Sequence, residues 1–302
     1  MSGGSRDKTV GFVGLGMMGS AMAANVLKKG HAMVAYDIDP KKNERFAALG
    51  AQIASGPADV ARRSHIMISM VDTTEQAQDV IVGAGGFIEG AEPGDVVMSM
   101  STIDPLAVKA MHGTLAAKGI GMIDAPVTGM EKGALAGTLH SYVGGEASDL
   151  EKCRHVLESM TEEIRHLGTI GQGIMMKLVN NMLTQAGRIL VVEALVMGAK
   201  AGLDPQTMVD IISTSSGNSV VFQYTAPRLL DRNFAGIRMD ITYKDLELET
   251  QVAKALQVPM FMANIAQQVY QMGRAAGLGS EDTSAVVKIY EQLTGVTVAR
   301  KS

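Results

Sequence analysis

The spacing of apolar and polar positions divides the chain into two parts of different character. Up to about residue 168, short apolar runs alternate with helix-forming stretches. Thr9–Val13, Ala32–Tyr36, His65–Val71, Val96–Ser101, Gly121–Asp124 and Leu139–Gly144 read as strands, and Ser20–Lys29 and Gly145–Met160 as helices. Asp72-Thr73-Thr74, and Thr102 with Asp104-Pro105, have the composition of helix starts. This alternation predicts an α/β fold with a doubly wound, mainly parallel sheet, and such sheets take ligands across the carboxyl ends of their strands. Val71, Asp72 and Thr102 follow two of the runs and are therefore candidate cofactor contacts. For Thr102, helix capping is an equally good account.

From Gly171 onward the pattern changes. Gly171–Leu203 is apolar and proline-free. At about 1.5 Å per residue it would reach roughly 45–50 Å, too long for a surface helix of a small domain, so it predicts a helix joining two domains. Pro205–Ile212, Phe222–Leu230, Met239–Leu256, Phe261–Met272 and Glu281–Leu293 continue with helical spacing, separated by breaks such as Ser213–Ser219. The expected organisation is a sheet domain over 1–168, an interdomain helix over 169–203 and an all-helical domain over 204–302. The apolar helices and the 22 methionines of the chain predict contacts beyond one subunit, at least a dimer.

One turn in the first part carries candidate chemistry. Thr9–Val13 runs into Gly14-Leu15-Gly16-Met17-Met18-Gly19, and a helix follows. In such a turn the first glycine permits the bend, the second lets the backbone approach a pyrophosphate, and the third lets the helix pack closely. The next strand ends at Asp37, where a carboxylate can accept hydrogen bonds from ribose hydroxyls and would repel a 2′-phosphate. Together these predict a Rossmann-type dinucleotide site that prefers NAD to NADP. Lys41 and Lys42 follow closely enough to temper that preference.

Composition narrows the classes further. The net charge is −4 with scattered lysine and arginine, so no nucleic-acid footprint is expected. Cys153 is the only cysteine, which excludes an intramolecular disulfide and fits a reducing, cytoplasmic setting. Met1–Lys8 is polar and precedes no signal-like apolar run, and no 18 uncharged apolar residues occur in succession, so neither secretion nor membrane spanning is expected. None of the six histidines has a zinc-ligand spacing, and no nucleophile elbow or P-loop lysine occurs. No metal is expected.

Hydride transfer remains, and it needs a group to exchange a proton with the reacting oxygen. Lys177, Asn181, Thr184 and Arg188 form one polar stripe on the long helix. Lys177 is the candidate acid/base, either with its pKa lowered from about 10.4 by desolvation or as a charged acid in the reductive direction. Asn181, one turn on, would orient the substrate. Around Thr128, Gly129 and Met130 the backbone amides offer an anion cradle, with a plain glycine turn as the alternative.

GFVGLGMMGSAMAANVLKKGH, DAPVTGMEKGALAGTL, GQGIMMKLVNNML and Lys244-Asp245-Leu246 resemble the four signature regions of the β-hydroxyacid dehydrogenases. The resemblance spans nearly the whole chain. It implies an N-terminal Rossmann domain, a long connecting helix and a helical C-terminal domain that helps form dimers or tetramers. It also implies Lys177 as catalytic acid/base, Asn181 as a substrate contact and Lys244 near the cofactor and cleft. The implied substrate is a small anionic β-hydroxy acid or its semialdehyde. One departure stands out: the family usually has Ser-Gly-Gly at its carboxylate-holding loop, whereas this chain has Thr128-Gly129-Met130. Arg228, Arg238 and Asn218 are further candidate partners for a second polar group. An imine reductase of related architecture, or a non-catalytic NAD-binding protein, are the alternatives, and the presence of Lys177 and Asn181 speaks against both.

Overall fold

A computed structural model describes residues 9–300. The Met1–Lys8 segment lies outside the described residues. The described chain forms two compact units, divided between Lys177 and Leu178.

In the first unit, β1 (Thr9–Val13), α1 (Met17–Lys28), β2 (Ala32–Tyr36), α2 (Pro40–Ala48), β3 (Gln52–Ile53), α3 (Pro57–Arg62), β4 (Ile66–Ser69), α4 (Thr74–Val82), β5 (Val96–Ser99), α5 (Pro105–Ala116) and β6 (Gly121–Asp124) alternate, with α2, β3 and α3 added to the elements that the sequence pattern marks. The six strands are ordered β3-β2-β1-β4-β5-β6 and pair in parallel. This order places the turn after β1 at the point where the winding reverses, the usual ligand crevice of such sheets. Val10, Phe12, Met33, Ile66, Ile68, Val96, Met98 and Ile123 are buried in one core with Met22 and Val26 of α1. Strands covered on both faces can be continuously apolar, which is why β4 and β5 are fully buried.

A second, three-stranded sheet follows: β7 (Val127–Thr128), β8 (Leu139–Val143) and β9 (Thr161–His166), with α6 (Met130–Ala136) after β7 and α7 (Ala147–Leu157) after β8. It joins the main sheet through the backbone pairing of Asp124 with Gly144. A helix, α6, begins directly after Gly129, where a plain glycine turn was the alternative to an anion cradle, and β9 is a strand that the apolar pattern did not mark.

α8 (Gln172–Lys200) is a continuous helix of 29 residues, and the division between the units falls within it. By length and composition it could cross a membrane, the one such helix among the described residues, a test that core helices of globular proteins also pass. In the second unit its Ile189, Val192, Leu195 and Val196 enter a core with α9 (Pro205–Ser213), α10 (Val220–Leu230), α11 (Met239–Ala255) and α12 (Phe261–Ala275). The last expected helix is shorter than its pattern: a 3-10 turn at Thr283–Val286 leads into α13 (Val287–Thr294).

Candidate active site

The glycine turn shows why each glycine is there. Gly14 has φ of +97°, and a Cβ at that position would lie 2.1 Å from the Met70 carbonyl oxygen. A Cβ on Gly19 would lie 2.0 Å from the Gly14 carbonyl oxygen. Both positions are closed by the protein itself. A Cβ on Gly16 meets nothing within 4 Å, so its missing side chain serves an open space. α1 begins at Met17, inside the motif, so Met17 and Met18 belong to its first turn. That turn has no side-chain cap and no acidic residue, whereas Asp39, Thr73 and Asp104 cap α2, α4 and α5 with their side chains. An uncapped helix start beside the open space at Gly16 suits the pyrophosphate of a dinucleotide. These residues fit NAD(P).

Asp37 follows β2 and is buried. Its Oδ2 accepts the Leu15 N–H at 2.6 Å and its Oδ1 the Asp39 N–H at 2.9 Å. Asn43 grips the same residue by its backbone, accepting the Asp37 N–H and donating to its carbonyl. The Lys42 ammonium pairs with the carboxylate at 3.3 Å. Asp37 thus ties the glycine turn to the end of β2, and two of the roughly four acceptor positions of its carboxylate go to backbone N–H groups.

Val71 and Asp72 follow β4, and Thr102 follows β5, at the carboxyl edge of the sheet. The Ser101 hydroxyl accepts the Val71 N–H at 2.8 Å, bridging the two strand ends. The side-chain cap of α5 is Asp104, through the Leu106 N–H.

Thr128 is half-buried on β7, and Gly129 and Met130 lie exposed beside it. Gly129 has φ of +130° and Met130 of +58°, so the methionine occupies a left-handed conformation that glycine would adopt without strain. Nearby, Asp124 at the end of β6 is fully buried. Its Oδ1 accepts the Gly171 N–H at 2.6 Å and its Oδ2 the Ile174 N–H at 2.7 Å. Burial pushes this carboxyl above its ordinary pKa, while the backbone N–H groups pull the other way. Lys177 is partly buried one turn beyond Ile174.

In the second unit, the Asn181 amide donates to Asp245 Oδ2 at 3.1 Å, and the Lys244 ammonium lies 3.2 Å from Asp245 Oδ1. Asp245 therefore brings two expected site residues together. No local pattern in the sequence marks this role, because its partner Asn181 lies on another helix. Arg228 donates to the Ala235 carbonyl and stacks on Tyr224, Arg238 pairs with Asp240, and Asn218 donates to the Ser213 carbonyl. Each of the three thus has a partner within the helical unit. No group of three or more metal-ligating side chains occurs among the described residues.

Comparison with known proteins adds the decisive observation. The family model described as the NAD binding domain of 6-phosphogluconate dehydrogenase matches residues 9–168, and that described as NAD-binding of NADP-dependent 3-hydroxyisobutyrate dehydrogenase matches residues 171–290. The 2-(hydroxymethyl)glutarate dehydrogenase of Eubacterium barkeri is 39% identical, over 96% of this chain and 97% of its own length. The chain belongs to the β-hydroxyacid dehydrogenase family. It is an NAD(P)-dependent oxidoreductase. The solved structure of a 3-hydroxyisobutyrate dehydrogenase from Mycobacterium tuberculosis with L-serine matches with a TM-score of 0.86 at 29% identity, covering 94% of this chain and 99% of that one. An imine reductase from Pseudomonas sp. matches with a TM-score of 0.58 at 16% identity, over 94% of this chain and 99% of its own, a likeness of fold alone. The dehydrogenase reading is therefore favoured over the imine reductase alternative.

Proposed function

We propose that this protein interconverts a small anionic β-hydroxy acid and its semialdehyde, with NAD preferred to NADP and Lys177 as the acid/base. The observation that carries this reading is the mounting of α8. Its head is bonded to Asp124 at the carboxyl end of β6, the edge that also bears the glycine turn after β1. Three inter-strand steps separate β1 from β6, about 14 Å at roughly 4.8 Å each, a distance an extended dinucleotide can bridge. Bound NAD supplies the hydride acceptor, or NADH the donor.

The protein residues do the rest. The α1 amides hold the pyrophosphate, Asp37 accepts the ribose hydroxyls, and Val71, Asp72 and Thr102 line the path along the strand ends. The Lys177 ammonium donates a proton to the oxygen of a carbonyl undergoing reduction, and its neutral amine takes that proton in the reverse direction. The Thr128 hydroxyl with the Gly129–Met130 backbone orients the substrate anion. Asn181 is assigned to the substrate and Lys244 to the cofactor, and Asp245 holds both side chains. In this reading residues 1–168 bind the cofactor, 169–203 form the connecting helix, and 204–302 serve substrate binding and oligomer formation.

The relatives are named for hydroxy acid substrates, 2-(hydroxymethyl)glutarate and 3-hydroxyisobutyrate, which supports an anionic substrate of that size. A homodimer or homotetramer is supported by Leu183, Leu190 and Met197, exposed at seven-residue spacing along α8, as a partner helix would require. The single, buried cysteine supports a cytoplasmic setting, and the charge balance supports a protein without nucleic-acid partners. Arg188 is buried within the helical unit with Glu193 further along α8, which supports a core helix over a membrane span. A panel of short hydroxy acids and semialdehydes, assayed with NAD and NADP, tests the proposal. Turnover of a β-hydroxy acid with NAD is expected; turnover confined to cyclic imines, or none with NAD bound, would contradict it.

A further inference from the structure

We propose that Asp124 is a positioning residue for Lys177, setting where its amine stands relative to the carboxyl edge of the sheet. The inference rests on the acid/base reading of Lys177 and extends it to a second residue.

Where a side chain caps a helix start in this protein, it is a local one. Asp39, Thr73, Asp104, Asp204 and Ser219 each cap their own helix from the position before it. α8 is fastened differently. Gly171, just before the helix, and Ile174, in its first turn, donate their N–H groups to Asp124, which is 47 and 50 residues away in the chain. The backbone of Asp124 is meanwhile paired with Gly144, with both N–H···O distances at 2.9 Å. One residue therefore locks the end of β6, the following sheet and the head of α8 into a single frame.

This arrangement is costly for a stability device. A carboxylate with no exposure to water loses its hydration, and burial raises its pKa accordingly. A local serine or aspartate at the helix start would satisfy the same N–H groups without burying a charge. The long-range link adds a fixed register between helix and sheet. Lys177 follows Ile174 by three residues, about 4.5 Å of rise and the same helical face. A shift of the helix head is thus carried directly to the Lys177 amine. Gly173 shows how tight the joint is: a Cβ there would lie 2.3 Å from the Tyr142 carbonyl oxygen and 2.8 Å from Asp124 Oδ2.

The test uses Asp124→Asn, which keeps the side-chain shape but turns one acceptor into a donor facing a backbone N–H, and Gly173→Ala, which pushes the helix head from the sheet and leaves the carboxylate in place. Both are measured as purified full-length protein, alone and combined with Lys177→Ala, with folding checked by circular dichroism and NAD+ binding by titration. Each single variant is expected to lower kcat about ten- to a hundredfold, the scale of a misplacement near 1 Å, with NAD+ affinity kept within about threefold. In the Lys177→Ala background neither should lower the residual rate further. A kcat within twofold of wild type for both variants, or the same fractional loss with and without Lys177, overturns the inference. So does failure of both variants to bind NAD+, which would assign Asp124 to folding alone. Full activity of Lys177→Ala by itself instead refutes the acid/base reading, which separates the two failures.

Discussion

The carboxylate of Asp37 accepts the backbone N–H of Leu15 at 2.6 Å, joining the end of β2 to the glycine turn. The residue expected to read the ribose also holds the loop expected to receive the pyrophosphate. Asp37→Ala should therefore act twice. Losing a buried, charge-assisted hydrogen bond costs about 2 kcal/mol of stability, seen as a lower Tm. Titration with both cofactors should show NAD+ affinity falling at least tenfold and the NAD+/NADP+ preference narrowing, since the repelling charge is gone and the Lys42 ammonium loses its partner. An unchanged cofactor preference would remove Asp37 from the ribose site.

Two glycines of that turn should respond in opposite ways. Gly14→Ala forces a side chain into a left-handed backbone against the Met70 carbonyl and should destabilise the protein by about 2 kcal/mol or more. Gly16→Ala has ordinary φ of −66° and open space, so thermal melting should barely move while NAD+ affinity drops about tenfold or more. Equal melting losses in the two variants would contradict the division of labour.

Met130 stands at a left-handed position with its side chain 45% exposed beside Gly129. Met130→Gly should leave stability unchanged or raise it by up to about 1 kcal/mol, since relief of strain offsets the added chain entropy. If Thr128–Met130 orients the substrate, the ratio of kcat/KM for larger against smaller hydroxy acids should rise. A substrate ratio that stays constant would place the methionine outside the pocket.

A histidine predicts the acid limb of the stability profile. Burial, with His155 adding repulsion, holds the His31 pKa below 6.5. Between the unfolded and the lower folded value the unfolded chain binds more protons, so stability rises with pH there. The His31 contribution is complete above about 6.5 and is lost as pH falls through the folded value. Denaturant melts from pH 7.5 to 5 should show the decline, and His31→Gln should flatten it; an equal slope in that variant would assign the decline to other groups.

Much of this molecule is legible from its residues. β1, β2 and β6 lie where the apolar runs end, since buried parallel strands are continuous apolar stretches bounded by turns. The starts of α9, α11 and α12 match the helical pattern as well, because proline or a break precedes each. β9 was not legible: Thr161–His166 is mostly charged, as edge strands often are, and β8 alone gives it structure. α6 was hidden by its glycines. In the candidate site, the glycine turn, Asp37 and Lys177 could be named because local motifs mark them. Asp124 and Asp245 could not be given roles, because what they hold, the head of α8 and Asn181, lies far along the chain.

The most direct measurement is single-turnover hydride transfer in Lys177→Ala, followed through the nicotinamide absorbance with NAD+ affinity measured in parallel. Loss of proton transfer should slow the chemical step by a factor of about 10²–10⁴ while NAD+ still binds within about threefold of wild type. A chemical step at the wild-type rate would contradict the account.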